Sequence, residues 1–132
     1  MMNEISLNSL PPLGEPLAGG TFAGIITQPD GAHVAVVLLP ERCKDISHSA
    51  AVAWAQEMGG QLPTRPIAAM LFANVKRLLS PRWHWCLETE DASYAWYCYF
   101  SNGRQGGVSH DSFEGSAVAV RLIHVVGGDS ND

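Results

Sequence analysis

Two apolar runs near the start of the chain predict a β-hairpin. Residues 21–27 (TFAGIIT) and 33–39 (HVAVVLL) are rich in β-branched residues, and the intervening Gln28-Pro-Asp-Gly31 has the composition of a tight turn. We expect Pro40 to end the second strand, because proline lacks the N–H that a sheet ladder uses.

The apolar spacing changes to three and four residues in the middle of the chain, which predicts two helices. The first covers 50–58 (AAVAWAQEM), with Asp45 or Ser47 as alternative N-caps. The second covers 65–79 (RPIAAMLFANVKRLL), with Thr64 as its N-cap.

The last third of the chain returns to the period of two that is typical of strands. Residues 83–88 (WHWCLE) alternate, residues 94–101 (YAWYCYFS) are rich in aromatic side chains, and residues 117–123 (AVAVRLI) form an apolar run. Asn102-Gly103 predicts the turn after the aromatic strand.

The order of these elements predicts an α+β fold, with two helices packed on a twisted antiparallel sheet and a hairpin at the N-terminus. Pro11-Pro12 and Pro16 favour an extended N-terminal arm over 1–18. The folded domain then covers 19–124, and the polar end of the chain predicts a disordered tail over 125–132.

Strand spacing also assigns the aromatic residues to faces. Trp83, Trp85 and Trp96 are expected in the core, because each indole buries a large apolar area. Tyr97 and Tyr99 share the opposite face of their strand from Trp96. They form an interaction patch if that face is exposed and belong to the core if the helices cover it, and the sequence leaves both alternatives open.

Composition and charge narrow the class of function. The 132 residues carry a net charge of −5, and the eight basic residues are scattered, which argues against nucleic acid as a partner. No apolar run approaches the length of a membrane helix and no export signal is visible, so we expect a cytoplasmic protein that binds no membrane. The three cysteines have no CxxC spacing, which fits a reducing compartment.

Neither an active site nor a metal site follows from the sequence. The five histidines lack the spacing of zinc sites, so no metal and no cofactor is expected. Cys86 with His110 is a conceivable nucleophile pair, but nothing in the sequence places the two side chains together. We therefore expect a protein that is not an enzyme.

Five segments in a fixed order suggest a family. "GGQLPTR", "LFANVK", "RWHWCLE", "YAWYCYFSNGRQ" and "AVAVRLI" together resemble the Lcl C-terminal domain family, a domain of unknown function that is common in phages and prophages. The resemblance covers roughly residues 19–123. It implies a C-type-lectin-like fold that is similar to the formylglycine-generating-enzyme group and to variable receptor-binding domains of phages.

Most positions that match the family are framework positions: Leu62, Pro63, Thr64, Arg65, Trp83, Trp85, Ala95, Trp96, Phe100, Gly103, Gln105, Val120 and Arg121. We expect Arg65 to pair with a carboxylate or with carbonyls of the closing strand. The chain departs from the family at Cys86-Leu87, where a serine pair is usual, and at Val118, where the closing pattern has an arginine. Both changes put a polar site built on those positions in doubt.

The resemblance implies a non-enzymatic binding module of phage or prophage origin that uses the loop region 101–116. Its partner would be a host protein or a small ligand, and its role the inhibition of a bacterial defence system. The alternative is a structural or receptor-binding component of the virion that recognises a cell-surface glycan or protein, and a homo-oligomer is compatible with either function. The expected binding residues are Tyr97, Tyr99, Arg104, Gln105, His110, Asp111 and Phe113.

Overall fold

The computed structural model describes residues 3–109 and 113–127. Eight strands and two helices follow one another as β1 (Glu4–Ser6), β2 (Pro16–Leu17), β3 (Gly20–Thr27), β4 (His33–Ile46), α1 (His48–Glu57), α2 (Arg65–Val75), β5 (Trp83–Thr89), β6 (Tyr94–Tyr99), β7 (Gln105–Ser109) and β8 (Gly115–Val126). Single 3₁₀ turns lie at Leu7–Ser9 and Lys76–Leu78.

The strands form one mostly antiparallel sheet in the order β2-β3-β4-β8-β5-β6-β7, and β1 pairs with β8 outside this path. The predicted α+β class with two helices is confirmed, and so is the N-terminal hairpin, in which β3 and β4 pair from Thr27 and His33 onward. Two pairings are parallel and were not predicted: β1 with β8, and β5 with β8 through His84 and Ser116.

Each helix covers a different face of the central strands. Ala35 and Val37 of β4 pack in the cluster that contains α1, whereas Val36 and Leu38 pack in the cluster that contains α2. Residues 34–39 are therefore buried on both sides of the sheet. This burial explains why the segment is continuously apolar instead of alternating.

β4 does not end at Pro40, as the sequence predicts, but continues to Ile46. Leu38 pairs with Val120 and Arg42 with Val118, so that residues 39–41 lie opposite a single residue of β8. Pro40 falls inside this bulge, where its missing N–H does not interrupt the ladder. The prediction was wrong because a bulge tolerates proline.

The first helix begins at one of the two predicted caps. The Ser47 side chain accepts a hydrogen bond from the Ala50 N–H at 3.4 Å. Asp45, the other candidate, instead has a positive φ of 57° within the irregular end of β4.

The second helix begins after Thr64, but the Thr64 side chain makes no capping hydrogen bond. Both carboxylate oxygens of Glu88 lie 2.9 Å from the Arg65 backbone nitrogen, so a residue of β5 caps the helix from a distance in sequence. An anionic acceptor at a helix N-terminus is also favoured by the helix dipole. The helix is shorter than predicted and ends at Val75.

The N-terminal segment contains more regular structure than the predicted arm. Ile5 of β1 is buried opposite Val125 of β8, and β2 extends the hairpin by pairing with β3. Hydrogen bonds from Gly14 N–H to the Phe22 carbonyl and from Phe22 N–H to the Glu15 carbonyl, both 2.9 Å, hold the connection. The segment is therefore part of the sheet. The predicted tail over 125–132 includes Val125 and Val126 of β8, and its last five residues lie outside the described part of the chain.

Candidate functional site

The indole of Trp83 brings two of the predicted binding residues together. The ring centroid of Trp83 lies 5.4 Å from that of Tyr97 and 6.2 Å from that of Phe113. Tyr97 is half-buried by this packing, whereas Tyr99 and Phe113 are 40% and 48% exposed. The two tyrosines thus have different environments: Tyr97 supports the aromatic cluster and Tyr99 is available to a ligand.

Gln105 lies apart from these rings and has a structural contact with the start of α2. Its side-chain amide donates to the Arg65 carbonyl at 2.8 Å, and Arg65 Nε donates to the Gln105 side-chain oxygen at 3.0 Å. The Arg65 guanidinium stacks 3.5 Å from the ring centroid of Trp96. The Arg65 side chain thus contacts β6 and β7 instead of the closing strand, and the carboxylate that meets Arg65, that of Glu88 on β5, accepts from its backbone N–H.

The other predicted residues contribute less to a common site. Arg104 is exposed in the turn after β6, where its backbone N–H donates to the Asn102 side chain at 3.0 Å. His110 and Asp111 lie outside the described residues. The described part of the predicted loop site is thus divided between Trp83 on one side and Arg65 on the other.

A cleft of about 530 Å³ lies where β4, the segment after α2, β5 and the start of β8 converge. We call it the basic cleft, and it is lined by Arg42, Cys43, Lys44, Leu78, Ser80, Arg82, His84, Ser116 and Ala117. Three of the eight basic residues of the chain line this cleft. Among the described residues, no Asp or Glu lines it. The lining of the cleft is therefore positively charged, although the whole chain carries a net charge of −5.

Backbone oxygens hold Arg42 in place at the edge of the basic cleft. Its Nη1 donates to the carbonyls of Leu39 at 2.6 Å and Glu41 at 3.0 Å, and its Nη2 donates to the carbonyl of Leu78 at 3.1 Å. Burial lowers the pKa of Arg42, while the neighbouring Glu41 carboxylate raises it. The bulge in β4 positions Arg42 here, because it shifts the strand before Arg42 pairs with Val118.

His84 lines the same cleft as a neutral side chain. It is 2% exposed, and its Nδ1 lies 3.0 Å from the Arg82 carbonyl oxygen, to which an Nδ1–H donates. The pKa of His84 is lowered to about 4, mainly by burial and to a smaller extent by the charges of Arg42 and Arg82, whereas the hydrogen bond to the Arg82 carbonyl raises it. At neutral pH the positive charge of the cleft therefore comes from its arginines and lysine.

A second cleft of about 700 Å³ adjoins the first and shares Lys44, Arg82 and Ser116 with it. We call it the aromatic cleft because the rings of Trp83 and Tyr99 line it, together with the carboxylates of Asp45 and Glu114 and with Pro81 and Gly115. Gly115 is required for the close approach of Trp83, because a Cβ at this position would lie 2.5 Å from the indole.

The sequence prediction missed most residues of the basic cleft. Arg42 and Lys44 are about forty residues from Arg82, and no local pattern links them. Three of the basic residues that are scattered along the sequence therefore line one cleft in the fold. The i, i+2 spacing of Arg42 and Lys44 in a strand was the one available signal, since it places both side chains on one face.

The structure gives no support to the Cys86–His110 pair. Cys86 is fully buried, and burial raises the pKa of its thiol, which opposes formation of the thiolate that a nucleophile needs. His110 is outside the described residues. Within residues 3–109 and 113–127, no group of three or more His, Cys, Asp or Glu side chains could hold a metal ion.

Comparison with known proteins leaves the family open. No model of a known protein family matches the chain, and no curated protein matches it significantly. Among the described residues, neither helix is long and apolar enough to span a membrane.

Proposed function

We propose that this protein is a non-enzymatic binding module that holds a small anionic ligand in the basic cleft. The observation that carries the proposal is the convergence of Arg42, Lys44 and Arg82 on a cleft that is lined by no carboxylate of the described residues. The volume of about 530 Å³ is within the range of small-molecule sites.

The side chains of the cleft suit oxyanions such as phosphate. Guanidinium and ammonium groups make short, charge-assisted hydrogen bonds to phosphate oxygens. The hydroxyls of Ser80 and Ser116 add uncharged donors to the same lining. The carbonyl contacts of Arg42 fix its guanidinium before a ligand arrives, which reduces the ordering entropy that binding must overcome.

The biological setting in this proposal comes from the sequence resemblance. A lectin-like scaffold of phage or prophage origin that binds a small ligand or a host protein in the cytoplasm would inhibit a bacterial defence system by removing one of its components. The exposed rings of Tyr99, which lines the adjoining aromatic cleft, and of Phe113, which packs near Trp83, support a binding surface on this side of the domain.

A structural or receptor-binding virion component is the second candidate. Tyr94, 46% exposed at the far end of β6 and on the opposite face of the strand from Tyr99, is an aromatic residue outside both clefts that a larger partner would contact. Purified particles that contain the protein would support this candidate, and its recovery only as free protein would contradict it.

The anion site is tested by titrating pyrophosphate into the wild-type protein and into Arg82→Gln, Lys44→Gln and Arg77→Gln variants by calorimetry. Each variant changes the net charge equally, but Arg77 lies beside Gly14, outside the cleft. We expect Arg82→Gln and Lys44→Gln each to weaken binding about tenfold, or about 1.4 kcal/mol, and Arg77→Gln to leave it unchanged.

Absence of binding by the wild type would refute the proposed site. Equal losses in all three variants would also refute it, because they would show attraction to overall charge instead of to the cleft.

A further inference from the structure

The two clefts together contain groups for three chemically different parts of one ligand. The basic cleft offers Arg42, Lys44 and Arg82 to an anion, and the aromatic cleft offers rings and carboxylates. Lys44, Arg82 and Ser116 line both clefts, so the two adjoin each other at these residues. A ligand that filled both would carry its negative charge at one end only.

The aromatic cleft is suited to a planar ring. Tyr99 lies on the face of β6 opposite the buried Cys98 and Phe100, and 40% of its surface is exposed. Trp83 is half-buried, with its indole supported edge-on by Trp85 at a centroid distance of 5.1 Å. Aromatic side chains held in this way stack with bases of any sequence, because every base has a π-face.

The carboxylates of the aromatic cleft distinguish the ring end of the ligand from the phosphate end. Asp45 and Glu114 accept hydrogen bonds and repel anions, so they disfavour a second phosphate beside Tyr99. Sugar hydroxyls and the exocyclic amino groups of bases are donors of the kind that such carboxylates accept.

We propose that the ligand is a free nucleotide, with its phosphate between Lys44 and Arg82 and its base against Tyr99. This inference depends on the proposed function, because it names the class of anion that the basic cleft binds. The carboxylates Asp45 and Glu114 face the sugar and the base edge. A long nucleic acid is disfavoured, because the net charge of −5 repels the phosphates that would extend beyond the cleft.

The test compares the four nucleoside 5′-monophosphates with adenosine, ribose 5-phosphate, pyrophosphate and a 5′-phosphorylated single-stranded octanucleotide by calorimetry. We expect at least one nucleotide to bind ten or more times as tightly as ribose 5-phosphate and adenosine. Tyr99→Ala and Tyr99→Leu should each remove that advantage and leave pyrophosphate binding unchanged.

Tyr94→Ala is the matched control for the loss of a ring. Tyr94 is also exposed and on β6, but it lies about 17 Å from Tyr99 along the strand and lines neither cleft. The Tyr94→Ala variant should therefore bind nucleotides as the wild type does.

Alkylation of Cys43 by iodoacetamide reports occupancy of the basic cleft independently, since Cys43 lines this cleft and the other two cysteines are fully buried. Nucleotide should slow this alkylation.

The outcomes separate the inference from the proposed function. One outcome is that pyrophosphate binding depends on Arg82, but no nucleotide binds more tightly than ribose 5-phosphate and adenosine in a way that depends on Tyr99. This outcome would overturn the nucleotide inference and leave the proposed anion site intact. Nucleotide binding that leaves Cys43 unprotected would overturn the inference as well, because the ligand would be elsewhere. If the octanucleotide binds more tightly than every mononucleotide, the inference of a free nucleotide is overturned, and the ligand is the phosphorylated end of a nucleic-acid strand. Binding of none of the phosphates would refute both proposals.

Discussion

Replacement of Trp85 by phenylalanine tests the central packing of the fold. The indole is fully buried, its N–H donates to the Ile46 carbonyl at 2.8 Å, and its ring meets Trp83 and His48 edge-on at 5.1 and 5.2 Å. The hydrogen bond connects β5 to the end of β4, next to the residues that line the clefts.

The expected loss has two parts. Phenylalanine is smaller than tryptophan by about 40 Å³, which at about 24 cal/mol per Å³ of cavity costs about 1 kcal/mol. The lost hydrogen bond leaves the carbonyl of Ile46 with one partner fewer in a partly buried environment, which costs about 1–2 kcal/mol. We therefore expect Trp85→Phe to lower the free energy of unfolding by about 2–3 kcal/mol in total.

Thermal and urea unfolding followed by circular dichroism measure this loss. At about 4 °C per kcal/mol for a domain of this size, the melting temperature should fall by about 8–12 °C. The matched control is Trp54→Phe on α1, because Trp54 is only half-buried at the border of the same core. We expect its melting temperature to fall by less than about 4 °C, which corresponds to less than about 1 kcal/mol. Equal shifts in the two variants would refute the assignment of Trp85 to the centre of the core.

Two further predictions concern titratable groups. The pKa of His84 is lowered to about 4 in the folded protein, so between about pH 6.5 and pH 4 the unfolded state binds more protons and stability falls as the pH falls. Across this window the free energy of unfolding of the wild type should fall by up to about 3 kcal/mol more than that of His84→Asn, as measured by urea unfolding at each pH. An equal pH dependence of the two proteins would contradict the buried neutral imidazole. A thiol reagent should modify one cysteine of the native protein, Cys43, and three after denaturation, because burial excludes the reagent from Cys86 and Cys98 and raises the pKa of both thiols. Rapid native modification of a second cysteine would contradict that burial.

Local patterns were sufficient for most elements of the fold. The turn at 28–31 forms as predicted, with the Gln28 N–H donating to the Ala32 carbonyl at 2.8 Å and Gly31 at a φ of 89°. Gly103 adopts a φ of 81° in the turn after β6. The alternation in β6 also placed Cys98 and Phe100 in the core and Tyr99 on the other face. These features depend on neighbours within a few residues, which the sequence displays directly.

Features that depend on distant neighbours could not be predicted in this way. Pro40 terminates a regular strand in isolation, but a bulge opposite β8 accommodates it. Thr64 is a favourable N-cap residue by type, yet Glu88 from β5 takes the Arg65 N–H. In both cases a tertiary partner replaced the local interaction on which the prediction was based.

The amino-acid sequence by itself determined the class of fold, the positions of most strands and of both helices, and the alternation of side chains along β6, because these features depend on residues that are close together in the sequence. Only the tertiary structure decided the candidate binding site. The positive charges of the basic cleft come from β4 and from Arg82, which directly precedes β5. They lie close together because β4 and β5 both pair with β8. The proximity of Arg82 to Arg42 and Lys44 is a property of the folded topology, because about forty residues separate them along the chain.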